Sequence, residues 1–158
     1  MAEDRLETVR IDPQSLAPSS SEVEQEREVA IADLLEANSF TPAGAPGGPY
    51  SLDIACQENR LALEIRGPDY AHTHLLSLQP FRKVIKDYFL VCDSYYEAVR
   101  GASTQQIEAL DMGRRGLHDE GSALLQERLE GKIVLDHDTA RRLFTLICAL
   151  HRRPGGAS

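Results

Sequence analysis

Tryptophan is absent from this sequence, methionine occurs twice and cysteine three times. The cysteines, Cys56, Cys92 and Cys148, are odd in number, far apart and never in a C-x-x-C pair. That argues against a disulfide framework, a dithiol redox motif and a zinc knuckle. Each lies in an apolar periodic segment, where a thiol is ordinarily buried and inert. Long hydrophobic runs are missing too. The longest nearly apolar stretch is Leu143 to Leu150, far short of the roughly 20 residues that span a bilayer. Met1 to Asp4 carry neither a basic nor an apolar leader, so the expectation is a cytoplasmic protein with no membrane partner.

Basic charge is scarce where acid is dense. Residues 1–49 hold ten acids against three bases, residues 50–102 seven against six, and residues 103–158 eight against eight. The net charge of −8 therefore belongs to the N-terminal third. Without a basic stripe the chain lacks the phosphate-neutralising contacts that dominate nucleic-acid affinity, so nucleic acid is not an expected partner.

Catalytic signatures are absent as well. The sequence has no G-x-S-x-G, no G-x-G-x-x-G and no P-loop, the patterns that place a nucleophile or cradle a phosphate. Gly44 to Gly48 lacks the lysine and the flanking strand and helix of a phosphate cradle. His72-x-His74 puts two imidazoles on one face of a strand, but no spacing ties His118, His137 or His151 to the pair, so no metal centre is expected. No catalytic residue and no cofactor is assigned.

What is present reads as one ordinary domain. With 158 residues, 42% apolar and 27% charged, the chain is long enough for a single core without staples. Arg5 to Ile11 alternates as a short strand and stops at Asp12-Pro13. Residues 12–20 form a Ser/Pro-rich loop. Ser19 or Ser21, each with Glu three residues later, offers a capping box for a helix reaching Asn38. Its stripe is Val23, Ala30, Ile31, Leu34 and Leu35, with Glu22, Glu26, Asp33 and Glu36 largely opposite. Residues 39–49 carry three Pro and three Gly and read as a loop.

Tyr50 to Cys56, Arg60 to Arg66 and Ala71 to Leu78 then predict an antiparallel meander with one apolar face. Phe81, Val84, Ile85, Tyr88, Cys92, Tyr95, Tyr96 and Val99 keep a helical stripe, bounded by Pro80 and Gly101. The three tyrosines coincide with that stripe and read as core. A capping signal at Ser103 or Thr104 opens a third helical region with Ile107, Leu110, Leu117, Leu124, Leu125 and Leu129. Gly113, Gly116 and Gly121 either break it or admit a closely packed neighbour. Close packing is preferred, because the glycines flank the apolar face. Lys132 to Leu135 is β-like. A last helix, capped by Asp136 or Asp138, runs from Thr139 to His151 on Ala140, Leu143, Phe144, Ile147 and Leu150. Residues 154–158 are expected to be a disordered tail. The fold expected is a single α+β domain: an antiparallel sheet of about four strands covered by about four helices.

One segment stands out chemically. Asp111 to Gly121 packs two Arg, one His, three acids and three Gly into eleven residues. On a helix Asp111 adjoins Arg114 and Arg115, and Arg114 adjoins His118. Arginine forks bind carboxylate or phosphate, and a neighbouring histidine can serve as a general acid. Arg114, Arg115 and His118 are therefore the candidate ligand-binding residues. The competing explanation is an Asp-Arg-His surface lattice that tightens helix packing.

The runs DYFLVCDSYYEAVR, QIEALDMGRRGLHDEGSALLQERLEGK and DHDTARRLFTLICALH resemble a bacterial group known as uncharacterised protein family 0262. The resemblance extends from about Arg5 to His151 and implies no activity, cofactor or catalytic residue. Two functional expectations stand. The first is a non-catalytic cytosolic binding or adaptor protein, engaging a basic partner through its acidic first helix or forming a homo-oligomer. The alternative is a small enzyme or ligand-binding protein that holds an anionic small molecule on Arg114 and Arg115.

Overall fold

The structure is a computed structural model and describes residues 3–152. Strand β1 (Leu6–Ile11) leads through a short turn into helix α1 (Ser21–Glu36), and strand β2 (Phe40–Pro42) follows. Strands β3 (Tyr50–Gln57), β4 (Arg60–Gly67) and β5 (Tyr70–Ser77) come next. Helices α2 (Arg82–Val99) and α3 (Thr104–Arg128), strand β6 (Ile133–Leu135) and helix α4 (His137–His151) complete the described chain.

The expected α+β domain is present, with its three-stranded meander. The sheet order is β1-β3-β4-β5, and β3-β4 and β4-β5 pair antiparallel. One correction is needed: β1 lies parallel to β3, so the sheet is mixed, not wholly antiparallel. The reason is connectivity. Parallel neighbours need a long crossover, usually helical, and α1 lies within the segment joining β1 to β3. A second correction concerns residues 39–49, expected to be loop throughout. Phe40 to Pro42 form β2, paired antiparallel with β6 as Phe40↔Leu135, Thr41↔Val134 and Pro42↔Ile133. The proline sits at the end of a three-residue strand, where a missing N–H is tolerated. The predicted tail, 154–158, lies outside the described residues.

Caps explain the helix boundaries. The Ser20 hydroxyl accepts from Val23 N–H at the start of α1, one residue away from either predicted cap. Ser103 and Gln106 close a reciprocal capping box on α3. Asp136 caps α4 by accepting from Thr139 N–H at 2.8 Å. Each side chain satisfies a backbone donor that the first turn leaves unpaired.

The core lies between the apolar sheet face and the helices. Leu52, Ile54, Leu61, Leu63 and Ile65 are buried on β3 and β4, against Phe81, Leu125, Phe144 and Ile147 from the helical side. Helix α4 is the central element, with nine buried residues, and it packs on both α1 and α3. On α1 the buried stripe is Val23, Arg27, Ala30 and Leu34. Arg27 turns inward, its Nε donating to Ala149 O at 3.3 Å and its Nη1 to Ser19 Oγ at 3.4 Å. The exposed charges of α1 are consequently all acidic: Glu22, Glu24, Glu26, Glu28, Asp33 and Glu36.

Candidate functional site

Helix α3 runs unbroken through Gly113, Gly116 and Gly121, so of the two readings of the glycines the break is excluded. Close packing holds at Gly121, where an added Cβ would lie 2.1 Å from the Phe144 ring. At Gly113 the nearest neighbour, a Val91 methyl, is 3.7 Å away, and at Gly116 nothing lies within 4 Å. The contact at Gly121 brings α3 tightly against α4 and sets His118, one turn earlier, beside Thr145.

Arg114 and Arg115 share one acid. Arg114 Nε donates to Asp111 Oδ1 at 2.8 Å, and Arg115 Nη2 lies 3.1 Å from Asp111 Oδ2. The Arg114 guanidinium also stacks 4.0 Å above the Tyr95 ring, a cation–π contact that restricts its motion. Arg114 is half-buried, whereas the Arg115 side chain is 73% exposed.

His118 is held on three sides. Its ring lies 5.5 Å from Tyr88 and 5.2 Å from Phe144, centroid to centroid. Its Nε2 is 2.7 Å from Thr145 Oγ1, and that hydroxyl donates to Arg141 O at 2.9 Å. Since a hydroxyl has a single proton, Thr145 must accept from His118, which places the imidazole proton on Nε2. Nδ1 then carries the lone pair, buried and without a hydrogen-bond partner. Burial first, and then Arg141, lower the His118 pKa from its ordinary 6.5. A neutral ring whose N–H is already engaged is poorly placed to act as a general acid.

Arg114, Arg115 and His118 do come together. With Tyr88, Arg141 and Thr145 they line a surface depression of about 220 Å³. A second, of about 310 Å³, shares His118, Arg141 and Thr145 and adds Asp138 and Arg142. Arg141 is braced by Asp119, Nε to Oδ1 3.4 Å, and Arg142 donates to Ala37 O. Sequence reasoning missed Arg141 and Thr145. They occupy polar positions on α4, and no local spacing relates them to residues 114–118.

A groove lies between α1 and α2, with α4 as its floor, and shares Tyr88 and Thr145 with the first depression. Its volume is about 340 Å³, and Val29, Phe89, Tyr96 and Cys148 supply its apolar lining, with Glu26 and Asp33 on the α1 rim. Val29 and Tyr96 are 50% and 57% exposed. Tyr96 was expected in the core, yet it is exposed on α2 and lines the groove. Arg152 also lines the groove, where it pairs with Glu26 at 3.2 Å and lies over the Phe89 ring at 4.8 Å.

The remaining candidates gather no further chemistry. His72 and His74 touch ring to ring at 4.4 Å on β5, but among the described residues no group of three or more His, Cys, Asp or Glu is arranged to hold a metal ion. Cys92 and Cys148 are buried and Cys56 half-buried, and burial raises all three thiol pKa values. No helix among the described residues is long and apolar enough to cross a membrane.

Histidine burial has a measurable consequence. Burial lowers the pKa of His74, His118 and His151 from 6.5. Each is protonated more readily in the unfolded chain than in the fold, so its contribution is present above about pH 6.5 and is lost as pH falls toward the folded value. Asp136, lowered mainly by its hydrogen bonds to Thr139, acts in a separate window below 3.8. The melting temperature should hold between about pH 8 and 7 and decline below about 6.5, less steeply in His118→Gln. Melting curves across that range check this, and parallel wild-type and variant curves would remove His118 from the explanation.

The Uncharacterised protein family (UPF0262) matches residues 3–153. The chain belongs to this family. A UPF0262 protein of Caulobacter vibrioides is 64% identical over 152 residues, 96% of each chain. One from Phenylobacterium zucineum is 62% identical over 149 residues, 94% of each, and one from Maricaulis maris 54% identical over 154, 96% of each. No solved structure matches the chain.

Proposed function

We propose that this UPF0262 protein is a non-catalytic cytoplasmic binding or adaptor protein that receives a basic amphipathic segment of another protein in the α1–α2 groove. The observation that carries this reading is the pairing, on one groove, of exposed apolar groups with an acidic rim. Val29 and Tyr96 stand half-exposed beside Phe89, while Glu26 and Asp33 line the α1 side. Large apolar side chains left in water beside a concave floor mark interaction surfaces. Grooves of this kind accept the apolar face of a helix. Charge selects the partner: with Arg27 turned into the core, every exposed charge on α1 is a carboxylate. Although Arg152 pairs with Glu26 at the rim, Asp33 and the other exposed acids of α1 favour lysine and arginine flanks. Three free thiols with pKa values raised by burial suit a reducing compartment.

A synthetic Lys/Leu amphipathic helix, titrated by fluorescence anisotropy, tests the proposal. Binding should weaken as salt rises from about 0.15 M to about 1 M, where charges are screened beyond about 3 Å. Removing the aromatic anchor with Tyr96→Ser should weaken it by about thirtyfold, the equivalent of about 2 kcal/mol for a hot-spot tyrosine. Glu26→Gln with Asp33→Asn should flatten the salt dependence. Equal binding of a Leu/Glu helix, or no effect of Tyr96→Ser, would refute the groove. So would sedimentation showing a dimer that Tyr96→Ser dissociates, because the groove would then be occupied by a second copy.

A further inference from the structure

We infer that the depression formed by Arg114, Arg115 and Arg141, which adjoins the groove and shares Tyr88 and Thr145 with it, is a binding site for a phosphate monoester dianion. Guanidinium groups from two helices face one concavity, Arg114 and Arg115 from α3 and Arg141 from α4. The concavity is small, about 220 Å³, below the roughly 300 Å³ at which pockets begin to enclose a whole drug-sized ligand. It therefore suits a charged head group, with the rest of the ligand outside it. The adjoining depression of about 310 Å³, which shares His118, Arg141 and Thr145, gives that remainder a place to lie.

The cations are pre-positioned. Asp111 holds Arg114 by Nε and Arg115 by Nη2, Tyr95 carries the flat face of Arg114, and Asp119 holds Arg141 by Nε. Each brace engages a small part of a guanidinium that has five N–H donors in a rigid fork. Arg114, held by both an ion pair and a ring, keeps its remaining donors in place before a ligand arrives, which lowers the ordering cost of binding, whereas Arg115 and Arg141 are each steered by one exposed ion pair. Three arginines against two aspartates also leave one positive charge, on a protein whose formal net charge is −8.

Geometry chooses phosphate over carboxylate. A carboxylate is planar and is matched by one guanidinium fork. Forks approaching from two helices suit a tetrahedral group that presents three oxygens in different directions. Thr145 lines the wall, but its single proton goes to Arg141 O, so recognition of the phosphate rests on the arginine N–H donors.

The test is a titration with inorganic phosphate, followed by heat and by the amide shifts of residues 111–119 and 141–145. Saturable binding localised to those residues is expected, weakened at least tenfold in Arg115→Gln and in Arg141→Gln. Arg128→Gln, exposed near the end of α3, should leave it unchanged. Two further arms identify the source of the phosphate. Tighter binding of a phosphoserine peptide than of inorganic phosphate or glycerol phosphate assigns the site to a modified protein. Tighter binding of glycerol phosphate assigns it to a free metabolite. No saturable phosphate binding, or equal binding by the Arg115→Gln, Arg141→Gln double variant, overturns the inference and leaves these residues as a structural ion-pair lattice. Because the Lys/Leu helix carries no phosphate, that failure is separable from failure of the groove.

Discussion

Gly121→Ala should lower the melting temperature by about 4–12 °C, while Gly116→Ala, five residues away on the same helix, should raise it by about 1–4 °C. The two substitutions share a helical backbone and the same intrinsic gain of about 1 kcal/mol from replacing glycine with alanine. Their surroundings differ. At Gly121 the new methyl would sit 2.1–2.6 Å from three ring atoms of Phe144, whose side chain is fully buried. The ring cannot swing aside without displacing neighbours in the close-packed core. Forcing extra volume into a core typically costs about 1–3 kcal/mol and occasionally more; contacts this short put the cost at about 3–4 kcal/mol, so after the propensity gain of about 1 kcal/mol a net loss of about 2–3 kcal/mol is expected. At Gly116 nothing lies within 4 Å, and the propensity gain stands alone. Thermal melts of both variants decide the matter. A stabilised Gly121→Ala would mean that α3 and α4 are not in the contact that places His118 against Thr145.

The glycine segment also shows how far the sequence could be read. Three glycines beside an apolar stripe signalled close approach, yet only Gly121 makes one; the structure gives no packing reason for Gly116. The elements with strong periodicity, β3, β4, α2 and α4, were legible because one face of each is buried, whereas β5, where Leu76 alone is buried, was legible from the Gly67-Pro68-Asp69 turn before it. The parallel pairing of β1 with β3 was not, since period-two alternation carries no information about strand direction. Strand β2 was hidden because three residues are too few to show a period and one of them is proline.

The candidate site was legible by halves. Arg114, Arg115 and His118 lie within two turns of one helix, so spacing alone brought them together. Arg141 and Thr145 reach the same depression through tertiary packing, at the crossing fixed by Gly121 and Phe144. The groove was less visible still. Val29 lies between buried positions of α1, and its exposure depends on how far apart α1 and α2 stand over α4. Nothing in the sequence marks Arg27 as buried, yet its long apolar stem crosses the α1–α4 contact and its guanidinium reaches Ala149 O and Ser19 Oγ.

Asn38→Ala should cost about 3 kcal/mol, a fall of about 6–12 °C in melting temperature, although the residue was expected merely to end the first helix. Helix α1 in fact stops at Glu36, and the Asn38 amide turns back to fasten β1. Its Oδ1 accepts from Leu6 N–H at 2.7 Å, and its Nδ2 donates to Leu6 O at 3.2 Å and Leu34 O at 2.9 Å. Leu6 is fully buried, so its N–H would lose this partner with little access to water, and each ordinary hydrogen bond contributes about 1 kcal/mol. Asn38→Asp discriminates a specific clamp from simple space filling. It retains the acceptor for Leu6 N–H but points a carboxylate oxygen at two carbonyls, so at pH 7 it should be at least as damaging as alanine. Protonation supplies one donor in place of the lost Nδ2–H. The folded-state pKa of the new acid is then raised above its usual value of about 3.9, and the deficit relative to wild type should shrink as pH falls from about 7 to about 5. The alanine deficit should not, because the histidine contributions are common to both chains and cancel in the comparison. Deficits that stay parallel with pH, or an alanine variant within about 0.5 kcal/mol of wild type, would show that the β1–α1 junction is held by the surrounding core and not by this amide.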